Sequence, residues 1–178
     1  MYNFIKEIRP GFQITPEEIH EIEEKYEIQF PQALVQFYLE CNGAEARLCY
    51  FEADEDEDDE DFEDGNDDFE EDGDDFEYKY EDYPYEVRSI VPLRYGRLTF
   101  EQIIDNDRDY MDNNMFPIAS NQGGDCYYWD RNSEKIYLYY SDDIEEPIFI
   151  CHTIRRFFEK LSDAVVQAED YEKGNKDK

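Results

Sequence analysis

Residues 116–140, FPIASNQGGDCYYWDRNSEKIYLYY, decide the fold. They read as a short strand over 116–119, a tight turn at Gly123-Gly124, a strand over 125–130, a polar turn over 131–134 and a strand over 135–140. Glycine accepts positive φ without a Cβ clash, so the chain can reverse at the pair. The two later strands are rich in Tyr, Trp and Ile, and the polar stretch between them is short enough for a hairpin. Tyr127-Tyr128-Trp129 and Tyr137-Leu138-Tyr139-Tyr140 blur strict alternation, which predicts aromatic cover on both faces of the sheet. A sheet with that much apolar area needs helices against it.

The chain supplies them on both sides of this segment. Thr15-Pro16-Glu17-Glu18 is a helix start: Thr15 caps, Pro16 suits the first turn and Glu18 completes a capping box. Ile19, Ile22 and Tyr26 then share one face. Residues 27–30 break this helix, and Pro31 opens a second whose Leu34, Val35, Phe37, Tyr38 and Cys41 cover a wide face. Asn42-Gly43 ends it. A strand is expected over 47–51 and another over 86–92, with Val87 and Val91 on one face. Thr99 and Gln102 have capping-box spacing for a third helix, running through Ile103-Ile104 toward Tyr110. After a loop over 141–147 with four carboxylates, 148–151 form a last strand. Thr153 then caps an amphipathic helix with Ile154, Phe157, Phe158, Leu161, Val165 and Ala168 on or near one face. Residues 171–178 lack apolar content and are expected to be a loose tail. Helix pair, strands, helix, strands, helix predicts the α+β class: an antiparallel sheet packed with the N-terminal helix pair and the C-terminal helix. The 178 residues suffice for one such domain.

Charge narrows the function. The formal net charge is −32, from 49 acidic against 17 basic side chains. Such a balance argues against nucleic acid, whose phosphates call for Lys and Arg, and against an anionic membrane surface. It favours a basic protein or metal cations. No apolar run has the length of a signal-peptide core or a membrane span, so a cytoplasmic protein is expected. Cys41, Cys49, Cys126 and Cys151 sit in apolar settings without a CxxC pair, as reduced buried thiols do.

Composition changes abruptly over 52–82, which hold 21 of the acidic residues and one Lys. Phe62, Phe69 and Phe76 recur every seven residues in this hyperacidic insertion, but Gly65 and Gly73 speak against a coiled coil. Two readings fit: a solvated low-complexity loop, or an acidic-aromatic segment that orders on a basic partner. Counting Gly73 as the sixth position of a calcium loop puts Asp68, Glu70 and Asp72 at the first, third and fifth. Lys79 then stands where a bidentate Glu is required. Only weak, nonspecific divalent binding is expected there.

Three motifs resemble the SUKH superfamily, which includes Smi/Knr cell-wall regulators and many bacterial immunity proteins. One is Ile19-x-x-Ile22-Glu23-x-x-Tyr26-x-Ile28-x-Phe30-Pro31, running on to Phe37-Tyr38 and Asn42-Gly43. Another is Phe116-Pro117-Ile118-Ala119-x-Asn121-x-Gly123-Gly124-Asp125 before the aromatic strands. The last is Phe157-Phe158-Glu159-Lys160-Leu161. The resemblance implies an α+β domain and, for bacterial members, neutralisation of a cognate toxin by direct binding, often a nuclease. Its motif residues are largely structural and transfer no catalytic role. The long insertion departs from the family pattern.

No cofactor and no metal site is expected, and no enzyme activity. His20 reads as a solvated surface residue and His152 as structural beside a helix cap. No GxSxG, Walker loop, HExxH or zinc-ligand spacing occurs. The partner called for is a basic protein, a cognate toxin. Asp58, Asp59, Asp61, Asp64, Asp67, Asp68, Asp72, Asp74 and Asp75 would supply the field, with Phe62, Phe69 and Phe76 as apolar anchors. Asp142, Asp143, Glu145 and Glu146 form a second candidate patch. The other class of function is a regulatory scaffold of the Smi/Knr type that recruits partners through the acidic tract.

Overall fold

A computed structural model describes residues 2–8, 11–47, 50–55, 85–107, 112–141 and 143–176. Four helices and nine strands occur among them: β1 (Ile5–Glu7), α1 (Pro16–Tyr26), α2 (Gln32–Cys41), β2 (Glu45–Ala46), β3 (Tyr50–Phe51), β4 (Tyr85–Glu86), β5 (Ser89–Ile90), α3 (Phe100–Asp107), β6 (Met115–Ser120), β7 (Cys126–Asp130), β8 (Ile136–Tyr140), β9 (Asp143–Cys151) and α4 (Ile154–Lys176). Seven strands make one antiparallel sheet in the order β1-β2-β5-β6-β7-β8-β9, and β3-β4 form a separate ribbon. The α+β class predicted from the element order holds.

The central segment forms as its residues dictate. Within β6 to β8, Phe116 faces Trp129 and Trp129 faces Ile136 across the ladders. Phe116, Tyr127, Trp129, Ile136 and Leu138 are all buried in the core. The opposite face is aromatic too, with Tyr128 against Tyr139 at 5.3 Å between ring centroids and Tyr137 against Phe149 at 6.0 Å. Between β6 and β7 the Asn121 Oδ1 accepts from the Gly124 and Asp125 amides at 2.8 and 2.9 Å. Gly124 sits at φ +97°, where only glycine is unstrained.

Helices close the core. The capping box of α1 is complete, with Thr15 N donating to Glu18 at 2.9 Å and Glu18 N donating to Thr15 Oγ1 at 3.3 Å. Thr99 and Gln102 repeat the exchange at α3. Phe37 of α2 stacks on Phe158 of α4 at 4.5 Å, and Phe4 beside β1 packs on both. Each such ring, fully withdrawn from water, contributes about 2–3 kcal/mol.

Several expectations are corrected. Of the strand expected over 47–51, the described residues show only β3 (Tyr50–Phe51); the nearby β2 (Glu45–Ala46) lies before it and belongs to a different sheet, with residues 48 and 49 outside the described ones. Likewise 86–92 is interrupted, β4 and β5 being separated at Val87 and Arg88, although Val87 and Val91 are both buried. The loop over 141–147 is largely strand, because β9 begins at Asp143 and carries Pro147 within it. Proline is tolerated there because β9 is the sheet edge, where an outward N–H need not be donated. Backbone helix continues to Lys176 where a loose tail is expected after 170. Adding a residue to an existing helix gains a hydrogen bond without needing an apolar face. Strand β1 was not anticipated.

Candidate partner-binding surface

In sequence the insertion lies between β3 and β4, whose Phe51 and Tyr85 are direct partners in the ladder. The residues that flank it are therefore held one strand spacing apart. The outgoing chain is pinned further. Asp54 N donates to Ile150 O of β9 at 2.9 Å. Lys160 Nζ, from α4, donates to Glu52 O at 2.7 Å and meets Asp54 Oδ1 at 2.6 Å. Arg156 reaches both Asp54 oxygens at 3.3 Å. Lys160 is only 9% exposed, so this cation is satisfied inside the fold and not in water.

Burial pushes the Asp54 carboxyl up, but the hydrogen bonds and charges of Lys160 and Arg156 outweigh it and hold the group below its ordinary range. Beside this clamp opens a cleft of about 520 Å³ lined by Tyr50, Asp54, Arg156, Lys160, Asp163 and Gln167. Sequence reasoning missed the clamp. Its signal was Lys160 falling three residues after Phe157, on the apolar side of an otherwise amphipathic helix.

Of the residues expected to meet a partner, Asp58, Asp59, Asp61, Phe62, Asp64, Asp67, Asp68, Phe69, Asp72, Asp74, Asp75, Phe76 and Asp142 lie outside the described residues. Asp143, Glu145 and Glu146 belong to β9. The topology thus ties the first residues of the insertion to the strand that carries Asp143, Glu145 and Glu146. Edge strand β9 carries the second patch in its first half and receives Asp54, at the root of the insertion, in its second.

The residues capable of chemistry are dispersed. His20 is two-thirds exposed, with Glu24 at 3.3 Å and Glu23 at 3.8 Å. His152 lies exposed against the Phe149 ring at 4.9 Å. Cys41 and Cys151 are buried, whereas Cys126 is partly exposed and departs from the expectation of buried thiols. Burial pushes the Cys151 thiol up to about 12, which keeps it protonated and unreactive at neutral pH. Among the described residues no group of three or more His, Cys, Asp or Glu could hold a metal ion, and no helix is long and apolar enough to cross a membrane.

Asn42 is the other residue whose role sequence reasoning did not reach. Expected to end α2, it also bridges three segments through its buried side chain. Oδ1 accepts from Leu93 N at 2.7 Å, and Nδ2 donates to Phe12 O at 2.6 Å and Arg94 O at 2.9 Å.

The model of the SMI1 / KNR4 family (SUKH-1) matches residues 13–160, a span that runs from before α1 into α4 and contains the insertion. No curated protein matches the chain.

Proposed function

The chain belongs to the SMI1/KNR4 (SUKH-1) family, and from that premise we propose that it is a noncatalytic immunity protein that binds and neutralises a cognate basic toxin domain, a nuclease by preference. One observation carries this reading. Of 49 acidic residues, 21 are gathered in a single insertion between the paired strands β3 and β4, and its first residues are clamped to the fold through Asp54. A nuclease domain must attract phosphate and so surrounds its cleft with Lys and Arg. A dense row of carboxylates attracts the same cleft, raises the encounter rate and occupies the substrate's place. The anchored root supports this role, because a tether fixed at both ends limits the freedom lost on binding.

The test is genetic and biochemical. The open reading frame immediately upstream is expressed in a heterologous host with and without this chain. Toxicity that this chain relieves, together with a stable complex of the two purified proteins, is the expected result. A harmless neighbour, or toxicity that coexpression leaves unchanged, contradicts the proposal. Capture of several moderate-affinity partners with no toxin among them would point instead to the regulatory scaffold.

A further inference from the structure

On the far side of Asn42 from α2 lies a loop with unusual backbone. Tyr95 and Leu98 both sit at left-handed φ, +66° and +54°, and Gly96 between them at +116°. Left-handed non-glycine residues cost of order 1 kcal/mol or more each, and persist only where their surroundings hold them. Here the holding groups are visible. Asn42 binds the backbone of Leu93 and Arg94. Arg94 bridges Glu21 at 2.7 Å and Glu101 at 3.4 Å, and the Tyr95 hydroxyl donates to Glu18. The Phe12 ring fills the space above Gly43 and Gly96, where an added Cβ would come within 2.7 and 2.6 Å of it. The loop is therefore built in advance of any contact. It nonetheless leaves Leu98 69% exposed.

Beneath it is a cavity of about 130 Å³ lined by Phe12, Ser89, Arg97, Leu98, Ile103 and Ser120, among others. That volume is near the roughly 150 Å³ of cavities that take a benzene ring, so it admits one side chain. Three of its polar side chains can donate to a ligand. Ser89 Oγ and Ser120 Oγ lie 2.9 Å apart; whichever donates, the other hydroxyl keeps a hydrogen to offer. Arg97 has only donors and forms no ion pair or hydrogen bond with the described residues. Arg97 is exposed and lines the cavity, so its charge is open to a ligand there.

We propose that this cavity is an anchor pocket for a segment of a partner protein. It takes one apolar side chain against Phe12, Leu98 and Ile103 while Arg97 and the serine pair receive an adjacent carboxylate. The site is distinct from the acidic insertion and of opposite sign, so it does not depend on the toxin-binding reading. Because the loop is already fixed, binding orders little and the free energy of contact is retained.

The experiment is a titration of the full ¹⁵N-labelled chain with N-acetyl-L-phenylalanine, which joins a ring to a carboxylate, and with its neutral amide. At about 0.3 kcal/mol per heavy atom the acid should bind with a Kd near a millimolar. Saturable shifts are expected at Ser89, Leu98, Ser120 and Gly124. The amide should bind at least about fivefold more weakly, a difference of ~1 kcal/mol, and Arg97→Ala should abolish that difference. Arg97→Lys should restore part of it. Shifts absent from these residues, or equal affinity of acid and amide for the wild type, would overturn the proposal. Arg97 is exposed and takes part in none of the core packing, so the variant can be expected to fold.

Discussion

Asp54 shows how one carboxylate can join a disparate insertion to a stable core. It faces a lysine that is almost out of solvent, so its loss would strand a buried cation. Asp54→Asn should cost roughly 3 kcal/mol at neutral pH, the usual consequence of removing one partner of a buried pair. The pH dependence has a definite sign. The folded carboxyl is held below its unfolded value of about 3.9, so the unfolded state binds more protons in that window. The clamp's contribution is complete above about pH 4 and declines as pH falls through the lowered folded value. Urea midpoints of wild type and Asp54→Asn should therefore converge below pH 4; a constant gap would remove Asp54 as the cause. Tyr38 presents the opposite case. Its hydroxyl is fully buried without a hydrogen-bond partner among the described residues, and desolvation raises its pKa accordingly. Tyr38→Phe removes an unsatisfied polar group and should stabilise the protein by about 1 kcal/mol in the same assay. Destabilisation would mean the hydroxyl is paired.

Strands β3 and β4 flank the 29 residues 56–84 in sequence and pair with each other, Phe51 directly opposite Tyr85. Since Phe51 and Tyr85 are already neighbours, a linker of a few Gly and Ser residues can replace that span. The truncated chain should keep its circular dichroism spectrum and melt within a few degrees of wild type, because closing a shorter loop costs slightly less entropy. Loss of cooperative melting would show that the span is part of the core. The same elements explain what was legible in sequence. The aromatic hairpin, both capping boxes and the apolar stripes of α1, α2 and α4 follow from local periodicity and end signals. Short strands β1, β2 and β3, of two or three residues, carry no period of their own, and their pairing is set by distant partners. Pro147 obscured β9 because its place at the sheet edge is a tertiary fact. In sequence Lys160 is one residue of the closing-helix motif and Asn42 a helix end, since only the folded chain brings Asp54, Phe12 and Leu93 to them.

At the scale of the whole molecule, charge dominates. A net −32 on 178 residues creates a far-reaching negative potential, and 21 of the 49 acidic residues fall in the one stretch 52–82. Long-range attraction is screened within about 8 Å at physiological ionic strength, so its signature is kinetic and salt-dependent. Contacts made once the partner has docked affect mainly the dissociation rate. The most direct measurement is the association rate of this chain with the basic protein captured from its native host, across a range of salt. A companion variant has the Asp and Glu of 56–84 changed to Asn and Gln. The wild-type rate should fall by about tenfold or more between 50 and 500 mM NaCl, and the variant should start low and barely respond. Identical rates and salt slopes for the two chains would contradict electrostatic capture by the insertion.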